Sequence, residues 1–230
     1  MQPKYLQILG IQSEESSDPQ VLVAATHSVE KHARRAMRLL SIKHPLAITV
    51  YPQASWCIPD TGETGYTPSA DWMQITLDLT GRIHPVATVI EKRIPPVVYH
   101  EMNHVKRWLT TGFGTTFREH VVTEGLATAF EMDQVKHDIH PFFVVSQEEI
   151  GTILKLVKEN KDRILTAYNY DEWFVRGSAV VPKWAGYKLG YYLIQEALRC
   201  NASQNVIALT SVPAEEIIQM SGVLLPTTGE

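Results

Sequence analysis

Two histidines four residues apart, with a glutamate directly after the first, are the side chains of this sequence best suited to chemistry. They are His100 and His104, with Glu101 beside the first. Positions four apart lie on the same face of a helix, so both imidazoles can bind one metal ion. Glu101 then lies beside the metal, where a carboxylate can take a proton from water and pass it to a leaving amine. The spacing is typical of a catalytic zinc site.

A third zinc ligand is available further along the chain. Catalytic zinc takes three protein ligands and leaves a fourth position for water, and two histidines with a glutamate form an accepted set. Glu124, in the helical segment 122–127, is our predicted third ligand. Glu119 and Glu131 are competing carboxylates, although Glu119 comes too early if the chain turns at residues 112–114.

Neighbouring side chains supply weaker candidates for the same site. His120 lies one helical turn before Glu124 and is a rival ligand. Thr123 and Thr128 are placed to orient the ligand histidines, or to bond a carbonyl of their own helix. Without a metal, His100 and its partner would be an ordinary surface or core pair.

Two tyrosines near the C-terminus are candidate donors to the oxyanion that forms during amide hydrolysis. Tyr187 and Tyr191 are four residues apart and follow Gly186 and Gly190, whose missing side chains would allow another segment or a substrate to approach closely. A tyrosine hydroxyl stays protonated at neutral pH and can donate. Packing in the core is the more common reason for such a pair on an amphipathic helix.

Two helices are predicted to position the metal ligands. Pro95 and Pro96 can begin the first helix, which ends at the glycines of residues 112–114. The second helix is predicted at residues 116–134. A short glycine turn between antiparallel helices would bring Glu124 back to the histidines.

The remaining elements are read from hydrophobic periodicity. Residues 71–79 alternate between apolar and polar side chains, which predicts a strand in which Met73, Ile75 and Leu77 share one face. The long loop at residues 56–68 is suspected of function. A second strand is predicted at residues 46–51, and further helices at residues 19–41, 146–160, 183–199 and 213–221.

The motifs together resemble the gluzincin metallopeptidases, and within them the family DUF2268 of predicted zinc-dependent proteases. The resemblance rests on four segments in the same order, and they span most of residues 54–195. They are Gly-Tyr-Thr-Pro at residues 65–68, the histidine helix, Thr-Glu-Gly-Leu-Ala at 123–127, and the Trp-Ala-Gly-Tyr segment within 182–191.

The resemblance implies an α+β fold that is mostly helical, with a small mixed or antiparallel sheet above the zinc helix. In gluzincins an edge strand pairs with an extended peptide substrate, which implies the same role for residues 72–79 and substrate contacts for Met73, Ile75 and Leu77. The alternative is that this segment is merely one strand of the sheet.

Length and composition indicate a single peptidase unit, with an N-terminal lobe at about residues 1–110 and a C-terminal helical lobe at about 111–230. A net charge of −4 gives no broad basic field, so nucleic acid is not an expected partner. No apolar run is long enough to span a bilayer, and the first residues lack the apolar core of a secretory signal, so we expect a cytoplasmic protein. Cys57 and Cys200 are expected to be free thiols.

The sequence therefore predicts a zinc peptidase with a peptide or protein substrate and Glu101 as general base. Two alternatives stay open. One is a different zinc hydrolase, or a peptidase restricted to free N-termini, since the ligands alone do not choose the substrate. The other is a regulatory protein that binds zinc without turnover, although a purely structural zinc has four protein ligands and no use for a base. Oligomeric state and substrate identity are left open.

Overall fold

The computed structural model describes residues 6–13, 18–135 and 145–227. Over these residues the protein has the predicted α+β architecture, with many helices and a small mixed sheet. The described chain divides into two compact units. The first contains the chain up to Leu109 and the segment that begins at Glu131, and the second contains Thr110–Phe130 and the chain that follows that segment.

A four-stranded sheet lies in the first unit. Its strands are β1 (Leu6–Gly10), β2 (Leu46–Pro52), β3 (Glu63–Tyr66) and β4 (Trp72–Leu77). The spatial order is β1-β2-β4-β3, in which β2 pairs in parallel with β1 and β4, and β3 pairs antiparallel with β4. Among the described residues, the antiparallel pairing of this sheet is thus at the β3 edge.

Strand β4 is an interior strand, which corrects one of the predictions above. Its backbone pairs with β2 on one side and β3 on the other. Residues 72–79 therefore cannot form the free edge that pairs with substrate. Met73, Ile75 and Leu77 are fully buried core residues, so their assignment as substrate contacts is also wrong. The exposed edge on this side is β3, within the segment that the sequence predicted to be a loop.

Helix α1 (Pro19–Leu39) covers the sheet. The side chain of Asp18 caps its start by accepting from Gln20 N at 2.8 Å, and proline at the first helical position suits a turn whose amides have no helical partner. Small and apolar side chains on one face, among them Ala25 and Val29, are buried, and the helix packs against β1 and β2. The helix predicted at residues 19–41 is confirmed to within two residues.

The helix that carries the two histidines starts earlier than the prolines predicted. Helix α2 (Val86–Thr88) runs through a π-helical turn (Val89–Arg93) into α3 (Ile94–Thr110). Pro95 and Pro96 have no N–H to donate to the carbonyls four residues earlier. The turn just before them is π-helical and therefore wider than an α-helical turn. The helix continues through the prolines although these hydrogen bonds are missing.

Helices make up the second unit. They are α4 (Phe117–Gln134), whose last residues belong to the first unit, α5 (Gln147–Glu159), α6 (Lys161–Ala167), a π-helical turn (Asp171–Arg176), α7 (Ala185–Cys200), α8 (Val206–Leu209) and α9 (Ala214–Ser221). The helices predicted at residues 116–134, 146–160, 183–199 and 213–221 are confirmed to within a few residues.

Two glycines allow α4 and α7 to cross in direct backbone contact. A Cβ at Gly190 would lie 2.2 Å from the carbonyl oxygen of Val121, and a Cβ at Gly125 would lie 2.3 Å from the carbonyl carbon of Gly190. Any larger residue would force the helices apart. The crossing fixes α7 beside the part of α4 that carries Glu124, the predicted third ligand.

None of the described helices combines the length and the apolar character that a membrane-spanning helix needs.

Candidate metal centre

Helix α3 brings His100, Glu101 and His104 together as the sequence predicts. One ligand atom from each side chain lies within 4.8 Å of the others, and this is the cluster suited to a metal ion among the described residues. The two imidazole rings lie 4.8 Å apart between centroids and are nearly perpendicular, at 82°. His104 is 4% exposed and Glu101 is 5% exposed. Two imidazoles and a carboxylate therefore converge in a site largely shielded from solvent.

Glu131 fixes the orientation of His100. Its Oε2 lies 3.2 Å from His100 Nδ1, and both side chains belong to the first unit. Because a carboxylate can only accept, Nδ1 carries the proton and Nε2 keeps a lone pair for a metal. A carboxylate on the outer nitrogen is the usual partner of a metal-bound histidine, since it fixes the tautomer and makes the ligand more basic.

The role of Glu131 was missed by the sequence analysis, which considered it only as a rival ligand. Neither of the two threonines suggested for orientation hydrogen-bonds to a histidine in the described chain. Thr123 donates to the carbonyl oxygen of Phe113 at 2.9 Å, and the buried hydroxyl of Thr128 has no hydrogen-bond partner among the described residues. The available signal was spacing, because Glu131 follows Glu124 by seven residues and so shares a helix face with it.

The carboxylate of Glu101 is held by the segment that contains β3. Thr67 Oγ1 donates to Glu101 Oε2 at 2.6 Å, while a Cβ at Gly65 would lie only 2.3 Å from Glu101 Oε1. Gly65 is therefore required for the backbone of β3 to approach this carboxylate. Trp108, also on α3, donates from its indole to the carbonyl oxygen of Thr67 at 2.9 Å and ties the segment down. The loop suspected of function thus orients the predicted general base.

Glu124 lies on α4 in the second unit and is 2% exposed. Its Oε1 accepts a hydrogen bond of 2.8 Å from the hydroxyl of Tyr170. Burial raises the pKa of Tyr170 far above its usual range, and the neighbouring carboxylate raises it further. The hydroxyl therefore stays protonated and acts as a donor. No pattern in the sequence singles out this tyrosine, and the role of Glu124 as a ligand stays a prediction.

Glu119, the competing carboxylate on the same helix, has a structural role. Its Oε2 accepts from the backbone amides of Thr115 and Thr116, each at 2.9 Å, and its own amide donates to the side chain of Thr116. This reciprocal arrangement is a capping box at the start of α4. The amide of Thr115 contributes most to lowering the pKa of Glu119, which keeps the cap ionised.

Tyr187 and Tyr191 lie on α7 and are half-buried. The ring of Tyr187 packs edge-on against Phe174 and Trp184, and its hydroxyl hydrogen-bonds to Tyr170. Burial raises the pKa of Tyr191. Their predicted role as oxyanion donors stays a prediction.

The glycines before these tyrosines accommodate protein segments. A Cβ at Gly186 would lie 2.4 Å from the ring of Phe174, which fills the space there, and Gly190 makes the backbone contact with α4. At both glycines it is therefore another segment of the second unit, and not a substrate, that approaches closely.

Among the other described histidines, His120 is the one the sequence considered as a ligand. Its Nδ1 hydrogen-bonds to the hydroxyl of Tyr168, and its ring packs among Phe113, Tyr170 and Phe174. It belongs to an aromatic cluster of the second unit, and within the described chain it is not part of a group that could hold a metal.

The donor set of the α3 cluster fits a zinc ion. Zinc prefers imidazole nitrogen and carboxylate oxygen in this kind of site, and His100 already has its outer nitrogen bonded to a carboxylate. Fold and site together define an α+β protein with a candidate metal centre on one helix, formed by two histidines and a glutamate.

Comparison with known families agrees with this description. The family model DUF2268, described as predicted Zn-dependent protease, matches residues 23–219. The chain therefore belongs to this family, as its motifs suggested. No curated protein and no solved structure matches the chain.

Proposed function

We propose that this protein is a zinc-dependent peptidase that hydrolyses peptide bonds. The observation that carries the proposal is the buried cluster of His100, Glu101 and His104, with Glu131 on the outer nitrogen of the first histidine. A structural zinc would need a fourth protein ligand and no base, whereas this cluster has a carboxylate oriented separately by Thr67. The family description supports the same conclusion.

Glu124 completes the ligand set in this proposal. Seven residues separate it from Glu131, which is about two helical turns, so the two carboxylates leave α4 on the same face. Glu131 contacts His100, and this contact supports a carboxylate two turns earlier as the third ligand. Glu119 is occupied by the helix cap and does not compete.

Each part of the site has a task in hydrolysis. Zinc, when bound, supplies a Lewis acid that makes water more acidic and polarises the substrate carbonyl. Glu101 accepts a proton from the attacking water and later donates it to the leaving amine nitrogen, so the amide and one water become a carboxylic acid and an amine. Thr67 and the close backbone at Gly65 hold the carboxylate in one orientation, which limits the reorganisation that each proton transfer requires.

In place of β4, we assign the substrate-binding role to strand β3. It is an edge strand, and Gly65 in its middle lies directly against Glu101. An extended peptide that pairs with β3 would place its backbone beside the general base. Tyr187 and Tyr191 are kept as the candidate donors to the oxyanion.

The proposal is tested by separating zinc binding from turnover. Glu101→Gln preserves the size of the side chain but cannot accept a proton. We expect the variant to bind zinc as the wild type does, while hydrolysis of a mixture of unstructured peptides falls by about a hundredfold to ten-thousandfold. Zinc content is measured by elemental analysis and hydrolysis by mass spectrometry of the products.

Glu91→Gln is the matched control, because Glu91 is an exposed glutamate on the π-helical turn before α3. It should hydrolyse peptides at the wild-type rate. Near-normal turnover by Glu101→Gln would show that another group is the base. A wild-type protein that binds zinc but cleaves no peptide would favour the zinc-binding regulatory alternative.

A further inference from the structure

The carboxylate of Glu124 is held by a tyrosine from a distant part of the sequence. Tyr170 donates from its hydroxyl to Glu124 Oε1 at 2.8 Å, across 46 positions of the chain, and both residues lie in the second unit. A buried carboxylate is costly unless its oxygens are bonded, so this contact stabilises Glu124 in one orientation.

Packing holds the ring of Tyr170 in place. The ring stacks on Phe174 with centroids 4.6 Å apart and an angle of 16° between planes. Phe174 is itself fully buried and fits against α7 only because Gly186 has no side chain. The π-helical turn Asp171–Arg176 begins directly after Tyr170 and carries Phe174, so one short segment supplies both the hydroxyl and the ring on which Tyr170 stacks.

The hydroxyl of Tyr170 has a second hydroxyl as its neighbour. Tyr187 on α7 hydrogen-bonds to Tyr170, which gives a chain of contacts from Tyr187 through Tyr170 to Glu124. Of the two tyrosines, Tyr170 is the one that contacts the carboxylate of Glu124.

We propose that Tyr170 is a positioning residue of the metal centre, which holds Glu124 so that its other carboxylate oxygen is presented to zinc. The inference rests on the proposed function, in which Glu124 is the third ligand. Ligating carboxylates are generally hydrogen-bonded in this way, and loss of such a partner typically lowers metal affinity about 10- to 100-fold.

Tyr170→Phe is the direct test, because it keeps the ring and its stacking on Phe174 and removes only the hydroxyl. We expect the zinc dissociation constant, measured by competition with a chromophoric chelator, to rise about 10- to 100-fold. The melting temperature of the zinc-free protein is measured alongside. Wild-type zinc affinity in this variant would overturn the inference.

Tyr168→Phe is the matched control. It removes a hydroxyl from the same aromatic cluster, but the partner of that hydroxyl is His120. Zinc affinity should stay at the wild-type value. An equal loss of zinc affinity in both variants would assign the effect to the cluster as a whole and overturn a specific role for Tyr170.

Glu124→Gln separates a failure of this inference from a failure of the proposed function. If Glu124→Gln loses zinc and Tyr170→Phe does not, the ligand set stands and the inference is overturned. If Glu124→Gln binds zinc normally, the ligand assignment falls and the inference falls with it. In the double variant, Tyr170→Phe should cause no further loss of affinity, because its effect acts through Glu124. Additive losses would contradict that coupling.

Discussion

The contact between Glu131 and His100 decides which nitrogen of the histidine is available to a metal. A free imidazole can carry its proton on either nitrogen and can rotate about its side-chain bonds. With Nδ1 bonded to a buried carboxylate, both freedoms are restricted before any metal binds. In the proposed zinc site, this imidazole would therefore be oriented before the metal binds, which favours binding.

Removal of the Glu131 carboxylate is expected to weaken metal binding without removing a ligand. Glu131→Ala should raise the zinc dissociation constant about 10- to 100-fold, as measured by chelator competition. Asp133→Ala is the control, since Asp133 is an exposed carboxylate two residues further on α4. Unchanged zinc affinity in a folded Glu131→Ala protein would show that the contact does not orient a ligand.

At this scale the sequence predicted the local part of the site. The periodicity of one helix places His100, Glu101 and His104 together whatever the rest of the fold does. Glu131 and Tyr170 could not be found in this way, because they reach their partners across 31 and 46 positions respectively. Such contacts depend on how helices pack, which no local pattern contains.

Strand β3 is the element on which the substrate proposal depends. The sequence failed to predict it because its four residues, Glu63–Tyr66, include two positions of low strand propensity and show no clear alternation. Strand β4 was predicted well, since its apolar side chains alternate and are buried. Its place inside the sheet is set by long-range pairing with β2 and β3, and this is why the edge was assigned to the wrong strand.

Peptides with single N-methylated amides test whether substrate pairs with β3. An edge strand bonds only to alternate residues of an added strand. As the single methyl group is moved along the peptide, it should therefore weaken competitive inhibition at every second position. At the positions in between, it should leave inhibition unchanged. The inhibition constants are measured with a fluorogenic peptide substrate. A loss that does not alternate along the peptide would contradict pairing with a strand edge.

The π-helical turn before α3 shows a different limit of prediction. Pro95 and Pro96 predict a helix start, because a proline at the first helical position needs no N–H. In the structure the helical stretch instead begins at Val86. The turn at Val89–Arg93 is wider than an α-helical turn, so the helical stretch continues through the two prolines that follow it. A helix that starts at the prolines and a helix that passes through them after a π turn both satisfy the local chemistry of proline. Which of the two forms depends on the packing of the whole unit.

For the molecule as a whole, His32 links stability to pH. Burial is the main cause that lowers its pKa from 6.5 to about 4, and the charges of Lys31 and Arg35 add to the effect. Its Nδ1 lies 3.2 Å from the hydroxyl of Tyr99. Between these two pH values the unfolded chain binds a proton at this site that the folded protein does not. Stability should therefore fall as the pH decreases from 6.5 to 4.

His32→Gln should lose less stability than the wild type over that interval. Urea unfolding is followed at pH 7 and at about pH 4.5 in the presence of a chelator, so that metal binding does not contribute. The control is His27→Gln, which removes an exposed histidine from the same helix. If His32→Gln and the wild type lose equal stability between the two pH values, the histidine is not the source of the dependence.

In the function proposed above, the cluster on α3 binds one zinc ion that is required for peptide hydrolysis. The most direct test is a titration of zinc into chelator-stripped protein while peptide cleavage is recorded. We predict no cleavage without metal, a linear rise in activity up to one equivalent of zinc per chain, and no rise at any zinc concentration when both His100 and Glu124 are changed to alanine. Cleavage that persists in fully stripped protein, or a double variant that zinc activates as it does the wild type, would contradict the claim.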